Sequence, residues 1–326
     1  MVIEKILKQL TPARIKKELK AIQRIQLPPR LQKWVREYEK IGERNSFFWK
    51  WLYKAVQLIT SPTTSKKYRK SLWEIKVLTI MFITLLDDVA DKTDKRDLLN
   101  ELLKIPLNRT NIKLNRFNIE KKQYLISTRR LLKYIIKIIK KYPRYEEFRE
   151  IFDYDILQAC NSIRYSNLVN KIPSLINKTE YSEYLPYNMQ GFVSYDLDLM
   201  CSLKFKTQEI RILREIIWRL QKMARISNWI TTWEREIGQN DFTSGVFAYA
   251  IDIGKVNVDG LQTKNTLDII KQIKNSNVEK ILLKEWEKYY YEVEKFSKKI
   301  KVINIRKILS GLEKFLILHL TSRGYI

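Results

Sequence analysis

Two long stretches of this chain are predicted to be uninterrupted helices, and they constrain the fold more than any other feature. The first runs from Lys66 into a group of aspartates, and apolar side chains recur along it with the spacing of one helical face. The second runs from about Thr207 to Ile237. Glycine and proline number only 8 each in 326 residues. The sequence therefore predicts an all-α fold instead of a sandwich or barrel of strands.

The first stretch ends in the acidic group Asp87-Asp88-Val89-Ala90-Asp91, directly after the mostly apolar run from Val77 to Leu86. Residues four apart lie on the same face of a helix, so Asp87 and Asp91 are expected to stack. Two adjacent aspartates at a helix end are usually a solvated surface. Because these acids follow an apolar run, however, the group is expected to begin near the buried end of its helix.

A second polar group lies inside the other long helix, where Asn228, Thr232 and Glu236 share one face and Arg235 stands beside the last of them. Tryptophan and isoleucine residues interleave with this group, which indicates a helix buried on most sides. Buried polar side chains need partners. Carboxylate, amide and hydroxyl oxygens hold Mg²⁺ together with substrate phosphates. The two groups together predict a magnesium–diphosphate site between two facing helices.

The spacing and order of these groups resemble a known family. Residues 87–91 are similar to the aspartate-rich motif of class I terpene synthases, and residues 228–236 resemble their second metal motif, Asn/Asp-Asp-x-x-Ser/Thr-x-x-Arg/Lys-Glu. Arg323-Gly324-Tyr325 resembles the family's terminal Arg-Tyr pair. The resemblance covers roughly residues 65–326. It implies a single-domain helical bundle of the class I terpenoid synthase type with a central active-site cavity.

Three departures from the family pattern stand out. Trp229 occupies a position that is usually Asp but is not a metal ligand in the usual pattern, and Gly324 interrupts the terminal pair. The family's diphosphate-sensing Arg would fall about forty to forty-six residues before Asn228, where the segment 183–191 contains no Arg or Lys. Asn188 is expected to occupy the sensing position as a neutral donor, or another cation substitutes for it.

The resemblance implies a role for each group. Three Mg²⁺ ions would bridge the two helices to the substrate diphosphate, with Asp88 orienting neighbouring groups. The predicted metal ligands are Asp87, Asp91, Asn228, Thr232 and Glu236. The predicted diphosphate ligands are Arg235, Arg323, Tyr325 and Asn188. Aromatic faces would stabilise a carbocation, and those predicted to line the pocket are Phe82, Trp229, Trp233, Phe192 and Phe247. His319 is expected to be a packed residue and not a base.

The function implied by the resemblance is that of a class I terpene synthase, a lyase of isoprenoid biosynthesis. It would ionise a linear prenyl diphosphate of C15–C25, with C20 as the preferred length, and cyclise the cation to a terpene hydrocarbon or alcohol. Two alternatives stay open. A chain-elongating prenyltransferase would ordinarily carry a second Asp-Asp-x-x-Asp group, which Asp196-Leu-Asp198 does not provide. A non-catalytic helical scaffold would bind membrane or nucleic acid.

The net charge of +26 would suit a polyanionic partner. Because lysines are spread along nearly every predicted helix and no nucleic-acid-binding motif occurs, we expect no nucleic-acid partner and at most peripheral membrane contact. No apolar stretch approaches the ~20 residues needed to span a bilayer. Cys160 and Cys201 do not suggest a disulfide framework, so a cytoplasmic location is expected. Quaternary state stays open, with a homodimer suggested by the resemblance.

The chain shows no internal repeat and no convincing linker. Residues 1–60 are predicted to form a basic amphipathic segment and short helices packed on the core, and residues 61–326 the terpene synthase-like α-helical domain. The helix predicted from Glu180 to Met200 is expected to break near Pro186 and Gly191. A break beside a cavity would expose helix ends and backbone groups that can bind anions.

Overall fold

The computed structural model describes residues 1–92, 95–107, 114–263 and 265–326, and all regular structure within these ranges is helical. The predicted all-α fold is therefore confirmed. The helices are α1 (Val2–Lys8), α2 (Pro12–Gln23), α3 (Pro29–Tyr38), α4 (Ser46–Leu58), α5 (Arg69–Ala90), α6 (Arg96–Leu102), α7 (Ile119–Ile139), α8 (Tyr145–Lys171), α9 (Lys178–Glu183), α10 (Gly191–Met200), α11 (Ile210–Gly238), α12 (Gly245–Asp252), α13 (Val258–Thr263), α14 (Thr266–Lys274), α15 (Val278–Lys295) and α16 (Ile305–Thr321). Short 3₁₀ turns cover Leu114–Arg116, Pro173–Leu175, Leu185–Met189, Thr207–Glu209 and Phe296–Lys298.

The two helices that carry the polar groups lie inside the bundle. Helix α5 packs against α3, α4, α7 and α8, and most of its side chains from Leu72 onward are buried. Helix α11 packs against α10, α12, α15 and α16. Each of these helices is thus enclosed by other helices, as expected for helices that are apolar on most sides. The polar side chains at their ends are consequently held at positions that the packing fixes.

The predicted break between residues 180 and 200 is present. A 3₁₀ turn covers Leu185–Met189, Gln190 has a left-handed backbone with φ of 54°, and α10 begins at Gly191. A side chain at Gly191 would meet the Gln221 Cβ at 2.9 Å, so this position requires glycine for close packing on α11. The break carries Asn188 to the polar end of the bundle.

The N-terminal helices pack on the same core as the rest of the chain. One cluster of buried hydrophobic side chains includes Ile3 of α1, Trp49 of α4 and Leu318 of α16. Helix α4 contacts both α5 and α16. The division of the chain into residues 1–60 and 61–326 stays a prediction. Within the described ranges, no helix has the length and apolar character needed to cross a membrane.

A buried ion pair ties the start of α5 to the end of α10. The Lys76 Nζ lies 2.8 Å from the Asp198 Oδ2, and neither side chain is exposed. Asp198 also accepts a hydrogen bond of 2.9 Å from the backbone N–H of Ser61. Burial lowers the pKa of Lys76 and raises that of Asp198, and their mutual attraction opposes both shifts. Removing one partner would leave an uncompensated buried charge.

We predict that Lys76→Met lowers the free energy of unfolding by about 3 kcal/mol, because Asp198 would stay buried without its counter-ion. Urea unfolding followed by far-ultraviolet circular dichroism measures this change. The exposed Lys70 on the same helix provides a control, and Lys70→Met should change the free energy by at most about 0.5 kcal/mol. Equal effects of the two substitutions would contradict a structural role for the buried pair.

Candidate active site

A cavity opens between α4, α5, α11, α16 and the break that precedes α10. About 150 Å³ of it is open to water-sized molecules. One end is polar and is lined by Arg44, Asp87, Asn188, Gln190, Arg225, Asn228, Thr232, Arg235, Glu236, Asp241 and Thr243. The other end is largely apolar and is lined by Phe48, Trp51, Leu52, Ala55, Val56, Ile59, Ile80, Ile83 and Phe315. The cavity therefore suits a ligand with a charged head and an apolar tail.

Both predicted metal groups reach this polar end. Asp87 on α5 and Asn228, Thr232 and Glu236 on α11 line the same cavity. Asp91, which caps the C-terminus of α5, lines an adjoining outer hollow of about 580 Å³. Arg44, Arg235 and Asp241 line both spaces, so the hollow continues the polar end towards the surface.

Asn188, expected at the sensing position, lies beside the first acidic group. Its Nδ2 donates a hydrogen bond of 3.3 Å to the Asp87 Oδ1. The segment 183–191 thus contributes a neutral amide and no cation to the polar end of the cavity.

Asp88 points away from the cavity and anchors the loop after α3. The Tyr38 hydroxyl donates a hydrogen bond to its carboxylate, and the backbone N–H of Glu43 donates another at 3.2 Å. Burial raises the pKa of Asp88 to about 6, and the neighbouring Arg44 opposes this shift. The side chain therefore fixes the position of residues 43 and 44, consistent with the orienting role expected for it.

Arg225 supports the second polar group from one turn earlier on α11. Its Nη1 donates a hydrogen bond of 2.9 Å to the Asn228 Oδ1, and its Nη2 reaches the carbonyl oxygen of Thr243 at 3.4 Å. The guanidinium also lies 5.5 Å from the centre of the Trp229 ring. The Thr232 hydroxyl donates to the carbonyl of Asn228 at 2.9 Å, so its oxygen lone pairs stay available to a ligand.

Asp241 is a site residue that the sequence analysis missed. Helix α11 ends at a left-handed cap, where Asn240 has φ of 56° and the backbone N–H of Asp241 returns to the carbonyl of Glu236 at 3.0 Å. Asn170 then donates to the Asp241 Oδ1 at 3.2 Å. The Gly238-Gln239-Asn240 sequence is typical of such a cap, and this signal could have placed the next residue at the site.

Carboxylates from α5, from α11 and from the segment after it repel one another at the polar end. Burial is the main cause that raises the pKa of Asp87, Asp91 and Glu236, and repulsion from Asp241 is the next cause that raises each. The pKa of Glu236 reaches about 7. Arg44 opposes these shifts at Asp87 and Asp91, with its Nη2 3.9 Å from the Asp87 Oδ2. An excess of buried acid is a typical binding site for cations.

The residues present fit Mg²⁺ ions. Several side chains that line the cavity have a buried polar atom without a hydrogen-bond partner, among them the Glu236 Oε2 and the Nε atoms of Arg44, Arg225 and Arg235. Such atoms are rare unless a ligand satisfies them. All candidate ligands are oxygens, as Mg²⁺ prefers. Within the described part of the chain, no three His, Cys, Asp or Glu side chains form a ready-made metal site, so a diphosphate would have to supply further oxygens.

Phe82, Trp229 and Trp233 were predicted to line the pocket. None of them lines the cavity, so this prediction is wrong. Phe82 precedes Asp87 by five residues and therefore lies ~140° around α5 from it, whereas Ile83 and Ile80 share the Asp87 face. The two tryptophans directly follow Asn228 and Thr232, so each is turned by ~100° from its neighbour. Trp229 packs on Gly245, and the Trp233 indole donates to Glu279 at 2.8 Å.

The other two predicted pocket residues also lie elsewhere. Phe192 stacks with Tyr187 and Trp218, and Phe247 packs edge-on against Trp233. The aromatic residues that do line the cavity, Phe48, Trp51, Phe315 and His319, come from α4 and α16. This wall was not predicted, because it forms where α4 and α16, which are far apart in the sequence, meet at the cavity.

The terminal pair is also placed differently from the expectation. Arg323 forms ion pairs with Glu234, at 3.0 Å, and with Glu279, and it does not line the cavity. Tyr325 is 55% exposed and lines the outer hollow. Two carboxylates already bind Arg323, and its side chain lies outside the cavity, so the structure does not support the predicted contact between Arg323 and a diphosphate. Arg225, which was not predicted, lines the cavity together with the predicted Arg235.

His319 is a packed residue, as expected, although it borders the cavity. The ring is buried, with its face or edge against Trp51 and Phe315, and its Nδ1 lies 3.2 Å from the Thr231 Oγ1. Burial lowers the pKa of His319 to about 3, so the ring is neutral near pH 7.

Comparison of the fold with solved structures identifies its type. The chain is similar to isoprene synthase from grey poplar leaves (Populus x canescens), with a TM-score of 0.58 and 14% identity over 94% of this chain and 52% of that enzyme. It matches equally well a structure of that enzyme in complex with three Mg²⁺ ions and dimethylallyl-S-thiolodiphosphate, covering 53% of it. The chain has the fold of a class I terpene synthase. The predicted terpenoid synthase bundle is thus confirmed.

The chain spans about half the length of the isoprene synthase that it matches. No protein-family model matches the chain, and no curated protein matches it by sequence. At 14% identity the similarity establishes the fold alone. The chemistry of the site must therefore be argued from the residues at the cavity.

We predict that Glu236→Gln stabilises the metal-free protein at pH 8 by about 1–3 kcal/mol and changes little at pH 5. The pKa of Glu236 is raised from 4.5 to about 7 in the folded state. Ionisation of Glu236 therefore lowers the free energy of unfolding as the pH rises from about 4.5 to 7. Above about pH 7 this loss of stability has reached its full size. Urea unfolding at both pH values in the presence of a chelator measures the difference.

Glu234 is the matched control, since it lies on the same helix and forms ion pairs with Lys274 and Arg323. Glu234→Gln should lower the free energy of unfolding at pH 8 by up to about 1 kcal/mol. A loss of stability at pH 8 in Glu236→Gln would show that the buried carboxylate is not destabilising.

Proposed function

We propose that this protein is a class I terpene synthase that ionises a linear prenyl diphosphate in the presence of Mg²⁺ and cyclises the product cation to a hydrocarbon or alcohol. The observation that carries the proposal is the shared cavity, in which Asp87 of α5 faces the same space as Asn228, Thr232 and Glu236 of α11. An apolar wall closes the other end of that space. The cavity thus has room for both the charged diphosphate and the apolar prenyl chain of such a substrate.

The two helices would hold Mg²⁺ from opposite sides. Asp87 and Asp91 provide carboxylates at the end of α5, and the α11 group provides an amide, a hydroxyl and a carboxylate oxygen. When bound, Mg²⁺ acts as a Lewis acid that neutralises charge on the diphosphate leaving group. The similar isoprene synthase structure holds three Mg²⁺ ions and a diphosphate analogue, which supports the same class of ligand here.

Three donors would bind the diphosphate. Arg225, Arg235 and Asn188 line the polar end, and the buried Nε atoms of both arginines lack hydrogen-bond partners. Hydrogen bonds from arginine to phosphate oxygens are charge-assisted and geometrically specific. These side chains would hold the head group at one end, so that the tail extends along the apolar wall.

The apolar wall would protect the cation from water. Phe48, Trp51 and Phe315 present aromatic rings there, and a ring face attracts a cation without offering a lone pair that would react with it. Among the described residues that line the cavity, His319 is the one with an imidazole, and its ring is neutral and packs edge-on against Trp51. The site thus lacks the paired nucleophile and base that ordinary hydrolysis requires.

Chain elongation is disfavoured by the placement of the other aspartates. Asp198 pairs with Lys76, and Asp196 lies near Asp155 and Arg214. Neither lines the cavity. A non-catalytic scaffold would not explain why the Glu236 Oε2 and the Nε atoms of Arg225 and Arg235 are buried without hydrogen-bond partners in side chains that line one cavity. The absence of a nucleic-acid partner, the cytoplasmic location and the homodimer stay predictions.

We predict that incubation with Mg²⁺ and at least one of the C10, C15, C20 and C25 prenyl diphosphates yields terpene products. Gas chromatography with mass spectrometry identifies the products. Asp87→Asn and Asn228→Ala should each lower kcat/KM by at least about 100-fold, because each removes a metal ligand. Longer prenyl diphosphates as products would indicate an elongase, and no product with any substrate would contradict the proposal.

We also predict different results for two arginines. Arg225→Gln should weaken binding of inorganic diphosphate in the presence of Mg²⁺ by about 10-fold or more, since it removes a charge-assisted donor from the cavity. Arg323→Gln should leave this affinity within about threefold, because Arg323 is paired with Glu234 and Glu279. Isothermal titration calorimetry measures both affinities. The reverse order would restore Arg323 to the diphosphate site.

A further inference from the structure

Arg44 lies in the loop between α3 and α4. Its positive charge is close to the carboxylates of Asp87 and Asp88. Its side chain lines both the cavity and the outer hollow and is 22% exposed. Its Nη2 lies 3.9 Å from the Asp87 Oδ2, and its Nε lies 3.7 Å from the Asp88 Oδ1. Both distances are too long for hydrogen bonds.

The guanidinium is therefore held by charge and not by directional bonds. The Nε is buried and has no hydrogen-bond partner, and the Asp88 Oδ1 facing it has none either. An unsatisfied buried arginine nitrogen next to an unsatisfied carboxylate oxygen is uncommon in a settled structural ion pair. This arrangement is typical of a group that exchanges partners when a ligand arrives.

The backbone that carries Arg44 is, by contrast, firmly fixed. The backbone N–H groups of Glu43 and Arg44 lie 3.2 Å from the Tyr38 hydroxyl oxygen, and Tyr38 itself donates to Asp88. Gly42 permits this approach, because a Cβ there would lie 2.2 Å from the Tyr38 ring. The loop is anchored at its base, so the long side chain can reorient between the acids and the hollow without backbone movement.

We propose that Arg44 is a built-in counter-ion of the acidic group, which divalent cations displace and which then binds the diphosphate. The inference rests on the proposed function and adds to it the group that replaces the missing sensing arginine. Arg225 and Arg235 are less suited to such an exchange, since each is hydrogen-bonded to a residue of its own helix or helix end, Asn228 and Gln239 respectively. Arg44 comes from a separate element and would couple that element to ligand binding.

This role has two consequences of opposite sign. Without substrate, Arg44 and a metal ion compete for the same carboxylates, so removing the positive charge strengthens metal binding. With substrate present, the same substitution removes a charge-assisted donor to the diphosphate and weakens its binding. A residue that serves only the structure of the loop would not change the two affinities in opposite directions.

The test measures binding to the full chain by isothermal titration calorimetry, with Mn²⁺ alone and then with inorganic diphosphate plus Mg²⁺. Arg44→Gln should tighten binding of Mn²⁺ alone by about 3- to 10-fold and weaken binding of diphosphate by about 10- to 100-fold. Arg44→Lys keeps the charge and should leave Mn²⁺ binding near the wild-type value. Lys40→Gln is the control, because Lys40 is an exposed cation of the same loop, and both affinities should stay within about twofold.

Weaker or unchanged Mn²⁺ binding in Arg44→Gln would overturn the counter-ion role, provided that its circular dichroism spectrum matches the wild type. If that variant fails to fold, Arg44→Met replaces it with the same two expected changes, and weaker or unchanged Mn²⁺ binding there overturns the role. Failure of the wild-type protein to bind diphosphate with Mg²⁺ would instead contradict the proposed function. The metal-only comparison does not depend on that result.

Discussion

The polar end of the cavity is shaped above all by repulsion among carboxylates that are buried or partly buried. Asp87, Asp91, Glu236 and Asp241 are brought together from helix α5, helix α11 and the segment after it, and burial raises the pKa of the first three. Isolated side chains would separate to relieve this repulsion. The surrounding packing of both helices holds them in place. Stability is thus lost locally, as is common where function needs a destabilised site, and the proposed cations would relieve the repulsion.

The helical periodicity was sufficient to predict that most of the proposed metal ligands face one space. Asp87 follows an apolar run, and Asn228, Thr232 and Glu236 recur at intervals of four within a helix that is apolar elsewhere. Both patterns place oxygen atoms on one face of a buried helix, and a buried polar face requires a partner. The facing of α5 and α11 across one cavity follows from this requirement, and the structure shows it.

The rest of the site depends on contacts that periodicity does not fix. Asp241 returns to the site only because Asn240 adopts a left-handed cap. Arg44 and the aromatic wall of α4 enter through packing between elements far apart in sequence. Phe82 shows the opposite error, since its distance along α5 suggested the cavity but its angle turns it away from Asp87. Position along a helix and rotation around it must both be considered when a pocket is predicted.

Anomalous diffraction from crystals grown with Mn²⁺ and inorganic diphosphate would show whether α5 and α11 bind metal ions in one shared space, as we propose. We expect Mn²⁺ peaks between the two helices, with Asp87 among the ligands of one ion and Glu236 among those of another. Mn²⁺ bound only at surface acids, with the cavity free of both ions and diphosphate, would contradict this proposal.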